Sequence, residues 1–150
     1  MRKFFGFGSV AVGTDKTLIT LNATAAVRPR IYEIMIGCKA TPADAASHFT
    51  VGRITALGTE GSGFTPVELD PANPAAIADF GVGVFSVEPT YTANKELWSC
   101  SMNQRATVRW IANRESDMLV APATANNGLG LKSKTSTVTT AHEASIYYEE

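Results

Sequence analysis

The sequence has few of the residues on which catalytic and nucleic-acid-binding sites depend. It contains two histidines, two cysteines and two tryptophans in 150 residues, and only 18% of the residues are charged. The 13 basic and 14 acidic residues give a formal net charge of −1. This balance argues against nucleic-acid binding, because that function needs a basic surface that neutralises phosphates. No apolar run approaches the roughly 20 residues that a membrane span requires.

The candidate catalytic residues do not form recognised motifs. His48 and His142 lack the spacing of metal ligands, and a lone histidine on a strand is usually a surface residue or a satisfied polar one. No serine lies in a G-x-S-x-G elbow, so a hydrolase triad has no support. We therefore predict no catalytic residue, no metal site and no cofactor. An enzyme would need a cleft that unites one of the histidines with acidic residues.

Three other segments resemble functional motifs but have simpler explanations. The run Gly58–Gly63 lacks Walker spacing and a following helix, and predicts a β-hairpin tip. Asp70, Asn73 and Asp79 offer oxygen ligands for calcium, yet they do not match a calcium loop, and turn formation explains them. The segment Asn22–Thr24 matches a glycosylation acceptor, which means little in a chain without a secretion signal.

The cysteines and tryptophans are predicted to lie in the core. Cys38 and Cys100 fall within apolar alternating patterns, where a free cysteine behaves as a small buried hydrophobe. Reduced core thiols are the favoured interpretation, and a single disulfide is the alternative. Cys100 could also be a nucleophile, but a core position on a strand is favoured. Trp98 and Trp110 could form a sugar-stacking platform, although their phase in alternating strands predicts core positions.

The composition and periodicity predict an all-β fold. Thr, Val and Ile number 17, 11 and 8 against 8 Leu, and branching at Cβ suits a pleated sheet better than a helix. Apolar and polar residues alternate along several segments, as in strands with one buried face. We expect one domain, residues 1–150, folded as a two-sheet antiparallel β-sandwich of jelly-roll type, with a closed barrel as the alternative. Strands are predicted near residues 4–12, 16–22, 30–40, 48–58, 64–69, 82–88, 95–102, 105–112, 117–121, 128–132 and 137–149, and short helical turns only within Pro42–Ser47 and Pro74–Asp79.

The start of the chain allows two interpretations. Basic residues precede an apolar run, as in a signal peptide, but three glycines interrupt the run and Asp15 and Lys16 end it early. We therefore expect a retained segment rather than a secretion signal. Residues 1–14 could be an N-terminal arm that packs against another chain, or they could contain the first core strand.

Several segments resemble small virion proteins of tailed bacteriophages. The carrying segments are Arg28-Pro-Arg-Ile-Tyr-Glu-Ile34, Phe64-Thr-Pro-Val-Glu-Leu-Asp-Pro-Ala-Asn-Pro-Ala-Ala-Ile-Ala78, Phe85-Ser-Val-Glu-Pro-Thr90 and Thr139-Thr-Ala-His-Glu-Ala-Ser-Ile-Tyr-Tyr-Glu-Glu150. The resemblance is to capsid decoration, or cement, proteins, which are β-sandwich modules. It implies a homotrimer made in the host cytoplasm that binds the major capsid protein on the capsid exterior. It implies no catalytic residue, no nucleic-acid partner and no membrane partner.

The apolar start and the basic segment after it supply the candidate interface residues. Phe4, Phe5 and Phe7 are concentrated near the N-terminus, Arg30 opens the third predicted strand, and Arg28 lies just before it. We predict that these five residues contribute to an assembly interface. A carbohydrate-binding or adhesion module of a phage tail or fibre is the alternative function. An exposed aromatic pair beside a carboxylate would favour that alternative.

Overall fold

The chain folds into two antiparallel sheets packed face to face. The computed structural model describes residues 1–134 and 139–150. The strands in this part of the chain are β1 Lys3–Ala11, β2 Lys16–Asn22, β3 Arg30–Cys38, β4 Ala46–Ala56, β5 Ser62–Gly63, β6 Val67–Glu68, β7 Asp79–Val82, β8 Thr90–Asn103, β9 Val108–Ile111, β10 Leu119–Val120, β11 Gly128–Ser133 and β12 Ala141–Glu149. The helical content of the described residues is one 3₁₀ turn, Glu115–Asp117. The predicted all-β sandwich is confirmed.

The order of the strands is that of a jelly roll. Sheet I has the order β10-β3-β12-β1-β6, with β9 also paired to β3, and sheet II has the order β5-β7-β2-β11-β4-β8. The last strand, β12, therefore lies between β1 and β3, and β11 lies between β2 and β4. Inserting the final two strands between the early ones produces the double Greek-key arrangement.

The core lies between the two sheets and is aliphatic and aromatic. Sheet I contributes Phe4, Ile34, Ile36, Ile146 and Tyr148, and sheet II contributes Leu21, Phe49, Val51, Phe80, Leu129 and Leu131. The ring centroids of Phe4 and Tyr148 are 5.4 Å apart, and those of Phe80 and Tyr148 are 6.3 Å apart. Burying a large apolar side chain contributes roughly 1.5–3 kcal/mol, so this cluster is the main source of stability.

The N-terminal segment is a central strand of sheet I. Strand β1 pairs with β12 over its whole length and with β6 on its other edge. Gly6 and Gly8 face inward, where a Cβ would collide with the ring of Phe80 at Gly6 and with the Leu18 carbonyl at Gly8. Close approach at these glycines therefore serves the packing of the two sheets. Residues 3–11 therefore form a core strand of the sandwich, as in the second interpretation of the start of the chain.

Several predicted elements differ from the structure. The strand predicted at 82–88 is absent: β7 comes before it and ends at Val82, where Gly83 adopts a φ of +86° that breaks the strand. Pro42–Ser47 and Pro74–Asp79 are not helical. The run Gly58–Gly63 is not a hairpin tip, because β4 pairs with β8 and β11 whereas β5 pairs with β7. The first part of the strand predicted at 137–149, residues 137–138, lies outside the described residues.

The acidic C-terminus is held inside the fold by backbone donors. The carboxylate of Glu150 accepts hydrogen bonds from the N–H groups of Ile77 and Ala78 at 2.9 and 2.8 Å. Its side chain also forms an ion pair with Arg2 at 3.1 Å. These contacts fasten the proline-rich segment before β7 to the edge of the sandwich.

Candidate assembly surface

The outer face of sheet I carries a row of side chains that crosses five strands and is apolar or aromatic at every position except Glu33. The pairing register places Val67 of β6 opposite Phe5, Phe5 opposite Tyr147, Tyr147 opposite Glu33, and Glu33 opposite Ile111 of β9. Side chains alternate between the two faces of a strand, so these residues share the outer face. The glycines of β1 face inward, and as a result its phenylalanines at positions 5 and 7 face outward.

Aromatic contacts join this row into a continuous surface. The ring centroids of Phe5 and Tyr147 are 4.9 Å apart, and those of Phe5 and Phe7 are 5.9 Å apart. Tyr147 lies 6.2 Å from Tyr32, and Phe7 makes an edge contact with Phe64 at 5.1 Å. Such pairs contribute about 0.5–1.5 kcal/mol each beyond the burial of their area. These contacts therefore favour one arrangement of the aromatic side chains.

Much of this surface remains open to solvent. The exposed fraction is 53% for Val67, 48% for Leu69, 44% for Ile111 and 39% for Phe7. Leu69 extends the β6 edge, because its N–H donates to the carbonyl of Lys3 at 3.0 Å. We call Phe5, Phe7, Tyr32, Val67, Leu69, Ile111 and Tyr147 the aromatic face. Contiguous exposed apolar surface of this kind marks interaction sites in soluble proteins.

Charged groups frame the aromatic face at the β3 side. Arg30 forms ion pairs with Glu149 at 2.8 Å and with Glu115 at 2.6 Å. Arg109 pairs with Glu33 at 2.7 Å, and the Lys3 ammonium lies 5.3 Å from the centre of the Tyr32 ring. Partial burial, and then the charge of Glu33, raises the pKa of Tyr32, so its hydroxyl stays neutral at physiological pH.

The five predicted interface residues occupy different environments. Phe4 is fully buried against Tyr148 and presents no surface to a partner. Phe5 and Phe7 lie on the aromatic face, and Arg30 belongs to its charged frame. Arg28 is exposed, and its Nε donates to the Ala121 carbonyl at 2.6 Å.

Sequence analysis did not find the members of the aromatic face that lie on other strands. Val67 and Leu69 belong to a two-residue strand and its extension, which are too short to show alternation. Ile111 and Tyr147 do lie in alternating segments, but alternation alone does not state which phase faces outward. In the structure, Ile146 and Tyr148 on β12 face the core, so Tyr147 between them faces outward.

The two histidines lie on opposite sides of β4, because His142 contacts Ser47 and His48 is the next residue along that strand. His142 is fully buried on β12, where Nε2 lies 3.2 Å from the hydroxyl of Ser47 and Nδ1 lies 2.9 Å from the Thr140 carbonyl. His48 is on β4 of sheet II, and its Nε2 lies 2.8 Å from the Ser99 hydroxyl. Among the described residues, no group of three or more His, Cys, Asp or Glu side chains could hold a metal ion.

The two tryptophans belong to different sheets. Trp98 lies on β8 and Trp110 on β9, and both are half-buried against the core. Trp98 is paired with Val51 and Trp110 with Ile34. The prediction that both tryptophans lie in the core is correct in part, because both pack against the core but neither is fully buried. No ring contact joins them within the described part of the chain.

Both cysteines are free thiols, but neither is fully buried. Cys38 and Cys100 are half-buried, in sheet I and sheet II respectively. The prediction of buried core thiols is therefore wrong in degree, because each residue lies near the margin of its sheet. The Cys38 thiol donates weakly to the Ala40 carbonyl at 3.4 Å, and burial raises the pKa of Cys100.

We expect an aromatic disulfide reagent to modify both thiols in the folded protein, with Cys100 the slower. Burial raises the pKa of Cys100 and leaves less of the reactive thiolate at any given pH, so its rate should reach a maximum only at a higher pH than the rate of an ordinary thiol. Stopped-flow absorbance of the Cys38→Ser and Cys100→Ser variants assigns each phase. If neither thiol reacts before denaturation, both are sealed in the core and this account of their burial is incorrect.

Comparisons with known proteins found no relative of this chain. No family model matches the sequence, and no curated protein and no solved structure matches it. No helix among the described residues is long and apolar enough to cross a membrane.

Proposed function

We propose that this chain is a structural virion protein that decorates a bacteriophage capsid and stabilises it by binding the lattice of the major capsid protein. The aromatic face is the observation that carries the proposal. A monomer that left these side chains in water would lose the free energy of burying them, about 25 cal/mol for each Å². Packed against another chain, the same side chains become the centre of an interface.

The size of the aromatic face suits a protein–protein contact. Neighbouring strands are about 4.8 Å apart, so the row from Val67 on β6 to Ile111 on β9 is about 20 Å wide. A standard interface buries about 800 Å² on each partner, with aromatic anchors at the centre and charged groups at the rim. Phe5 and Tyr147 lie next to each other within the row, and the ion pair of Arg30 lies at its margin. The ion pair of Arg109 with Glu33 lies between Tyr147 and Ile111.

The assembly that we propose is a homotrimer on the capsid exterior, formed from chains made in the host cytoplasm. Oligomers close with point-group symmetry, and a three-fold position of a capsid lattice accepts a trimer without breaking the symmetry of the shell. A rigid jelly roll with low net charge suits a module that bridges neighbouring capsomers. In this proposal the chain has a mechanical role and catalyses no reaction.

Substitution of Phe7 and Val67 by aspartate should disrupt the proposed assembly. Two charges buried without partners in an interface cost well over 2 kcal/mol, which weakens association at least about 30-fold. We expect the wild-type protein to sediment as a trimer and the double variant as a folded monomer. The matched control is Val84→Asp, because Val84 is 66% exposed in a loop outside the aromatic face.

Two sedimentation results would contradict this assignment of the surface. If the wild-type protein stays monomeric at high micromolar concentration, the aromatic face does not mediate self-assembly. A double variant that forms trimers as the control does would place the interface elsewhere. Co-sedimentation with capsids of the phage that encodes the chain then tests the major capsid protein as the partner.

One observation favours the carbohydrate-binding alternative. Tyr32 and Tyr147 form an aromatic pair beside the carboxylate of Glu33. The rings can stack on a sugar, and the carboxylate can accept hydrogen bonds from the sugar hydroxyl groups. Lys3 covers one ring and Arg109 occupies the carboxylate, which makes this the weaker proposal. Calorimetric titration of host-surface oligosaccharides separates the two functions, because a sugar-binding module gives heat that Tyr147→Ala abolishes.

A further inference from the structure

Strand β8 is a free edge of sheet II. It is the last strand in the order of that sheet, and among the strands of the described residues it pairs with β4 alone. The register with β4 is regular from Trp98 to Asn103, between an irregularity next to Trp98 and the turn that follows Asn103. Such an edge presents backbone groups with which a strand of another chain can pair.

The backbone groups of Ser99 and Ser101 are directed away from the sheet. The N–H of Gln104 donates to the Ala45 carbonyl at 3.0 Å, so Gln104 is bonded on the β4 side. Bonded and non-bonded positions alternate along an antiparallel pair, and the even-numbered residues from Gln104 back to Trp98 therefore bond to β4. The N–H and C=O groups of Ser99 and Ser101 project from the edge and have no backbone partner within the described residues.

A second hydrogen bond gives the same phase. The N–H of Lys134 donates to the His48 carbonyl at 2.8 Å, so the backbone groups of His48 are directed to the β11 side of β4. The next residue, Phe49, is therefore bonded to β8, where its partner in the register is Cys100. Cys100 thus uses its backbone groups within the sheet, whereas its neighbours Ser99 and Ser101 do not.

This edge lacks the features that protect free strands from pairing. Natural edges carry charged side chains, proline or a bulge. Residues 97–103 include no charged residue and no proline. Trp98 and Cys100 are only half-buried on the core side of the edge, and Leu97 is 36% exposed. A strand placed alongside β8 would bond to the free backbone groups and cover these side chains.

We propose that β8 pairs antiparallel with β8 of a second copy of this chain, across a two-fold axis at Cys100. This register pairs residues 97–103 of the two copies, which is the segment between the irregularity and the turn. Ser99 of one copy and Ser101 of the other then exchange both of their N–H···O bonds. Trp98 lies opposite Met102 of the second copy, and no charged residue lies opposite another. The edge is therefore self-complementary, as a two-fold contact requires.

The contact is small and is separate from the aromatic face. Its paired residues extend about 24 Å and one sheet layer is about 10 Å thick, so each copy covers about 240 Å². This area is well below the roughly 800 Å² on each side of a stable interface, so pairing between free chains is weak. In the trimer proposed above, β8 would join one trimer to the next, and neighbours held on a shell have a high local concentration. The pairing itself does not depend on that trimer.

Oxidation of the full chain tests the pairing through Cys100. A non-hydrogen-bonded antiparallel pair has its Cα atoms about 4.5 Å apart, within the range that a disulfide spans. In the Cys38→Ser variant, diamide takes two electrons and two protons from the Cys100 thiols of two copies. We expect a covalent dimer on a non-reducing gel, formed faster as the protein concentration rises. The Cys100→Ser variant, which retains only Cys38, should form clearly less dimer.

Ser99→Pro removes a hydrogen-bond donor from the edge. The lost N–H is directed away from β4, so the pairing of β8 with β4 is retained, as at the solvent side of natural edge strands. In the Cys38→Ser background, we expect Ser99→Pro to cross-link at least about tenfold more slowly than Ser99→Ala, since each copy loses a bond to the other. Ser99→Ala is the matched control because it also loses the hydroxyl contact with His48. Circular dichroism melting curves check that both variants are folded.

A pair of charges tests the register without a change in the backbone. Ser99 and Ser101 are exposed, and in the proposed register each lies opposite the other residue of the second copy. Ser99→Lys combined with Ser101→Lys should slow cross-linking, because like charges then lie directly opposite each other. Ser99→Lys combined with Ser101→Glu places opposite charges there and should cross-link faster than the double-lysine variant.

Four results would overturn the proposal. The first three are cross-linking through Cys100 no faster than through Cys38, equal rates for Ser99→Pro and Ser99→Ala, and equal rates for the two charge variants. The fourth is a Ser99→Pro protein that cross-links normally but binds phage particles less well, which would assign the edge to a strand of another protein. The rates are measured on the isolated chain, so failure of this contact is distinguishable from failure of the proposed function.

Discussion

Removal of residues 2–12 is expected to abolish cooperative folding. Strand β1 pairs with β12 over nine residue positions, and residues 2–12 include the buried Phe4, Val10 and Val12. Its loss also uncovers the inner-face residues Tyr148 and Phe80. The lost burial and hydrogen bonding is comparable with the whole stability of a domain, which is typically 5–15 kcal/mol.

Urea unfolding followed by far-ultraviolet circular dichroism measures this effect. The truncated chain should show no sigmoidal transition. Phe7→Asp changes only the outer face of the same strand and should retain a transition close to that of the wild type. A truncated chain that unfolds cooperatively would mean that β1 is dispensable and behaves as a detachable arm.

Gly8→Val is expected to destabilise the fold by about 3 kcal/mol. A Cβ at this position would lie 2.9 Å from both the backbone carbonyl of Leu18 and the Val82 side chain, and a carbonyl within a paired strand cannot move aside. The added methyl groups therefore separate the two sheets at β1. This cost exceeds the gain of roughly 0.4–1 kcal/mol that loss of a glycine brings through the unfolded state.

Ser9→Val is the matched control for this substitution. Ser9 is the next residue on β1 and faces outward, where its hydroxyl accepts one exposed hydrogen bond from Lys39. Its replacement should change the free energy of unfolding by less than about 0.5 kcal/mol. Equal stability of the two valine variants would contradict the close packing of the sheets at Gly8.

The fold class could be predicted from the sequence because alternation is a local property. Strands β3, β9 and β12 overlap the segments in which a period of two predicts a strand. Alternation does not report the partner of a strand, and pairing in a jelly roll is non-local. For this reason the Gly58–Gly63 run was predicted to close a hairpin, whereas its flanking strands pair with other partners.

The candidate sites could be predicted only in part. The phenylalanine-rich start of the chain predicted Phe4, Phe5 and Phe7 as interface residues. Side chains alternate between the two faces of β1, so Phe5 and Phe7 face outward and Phe4 faces the core. The contact between the side chains of Asn22 and Asp79 had no sequence signal. The two residues are 57 positions apart and meet because β2 pairs with β7.

Electron cryo-microscopy of intact phage particles tests the proposed function most directly. The account predicts copies of this jelly roll in groups of three on the outer capsid surface, with Phe7 and Val67 of each copy buried against another chain. Copies whose aromatic face is directed to solvent, or particles that lack the chain altogether, would contradict it.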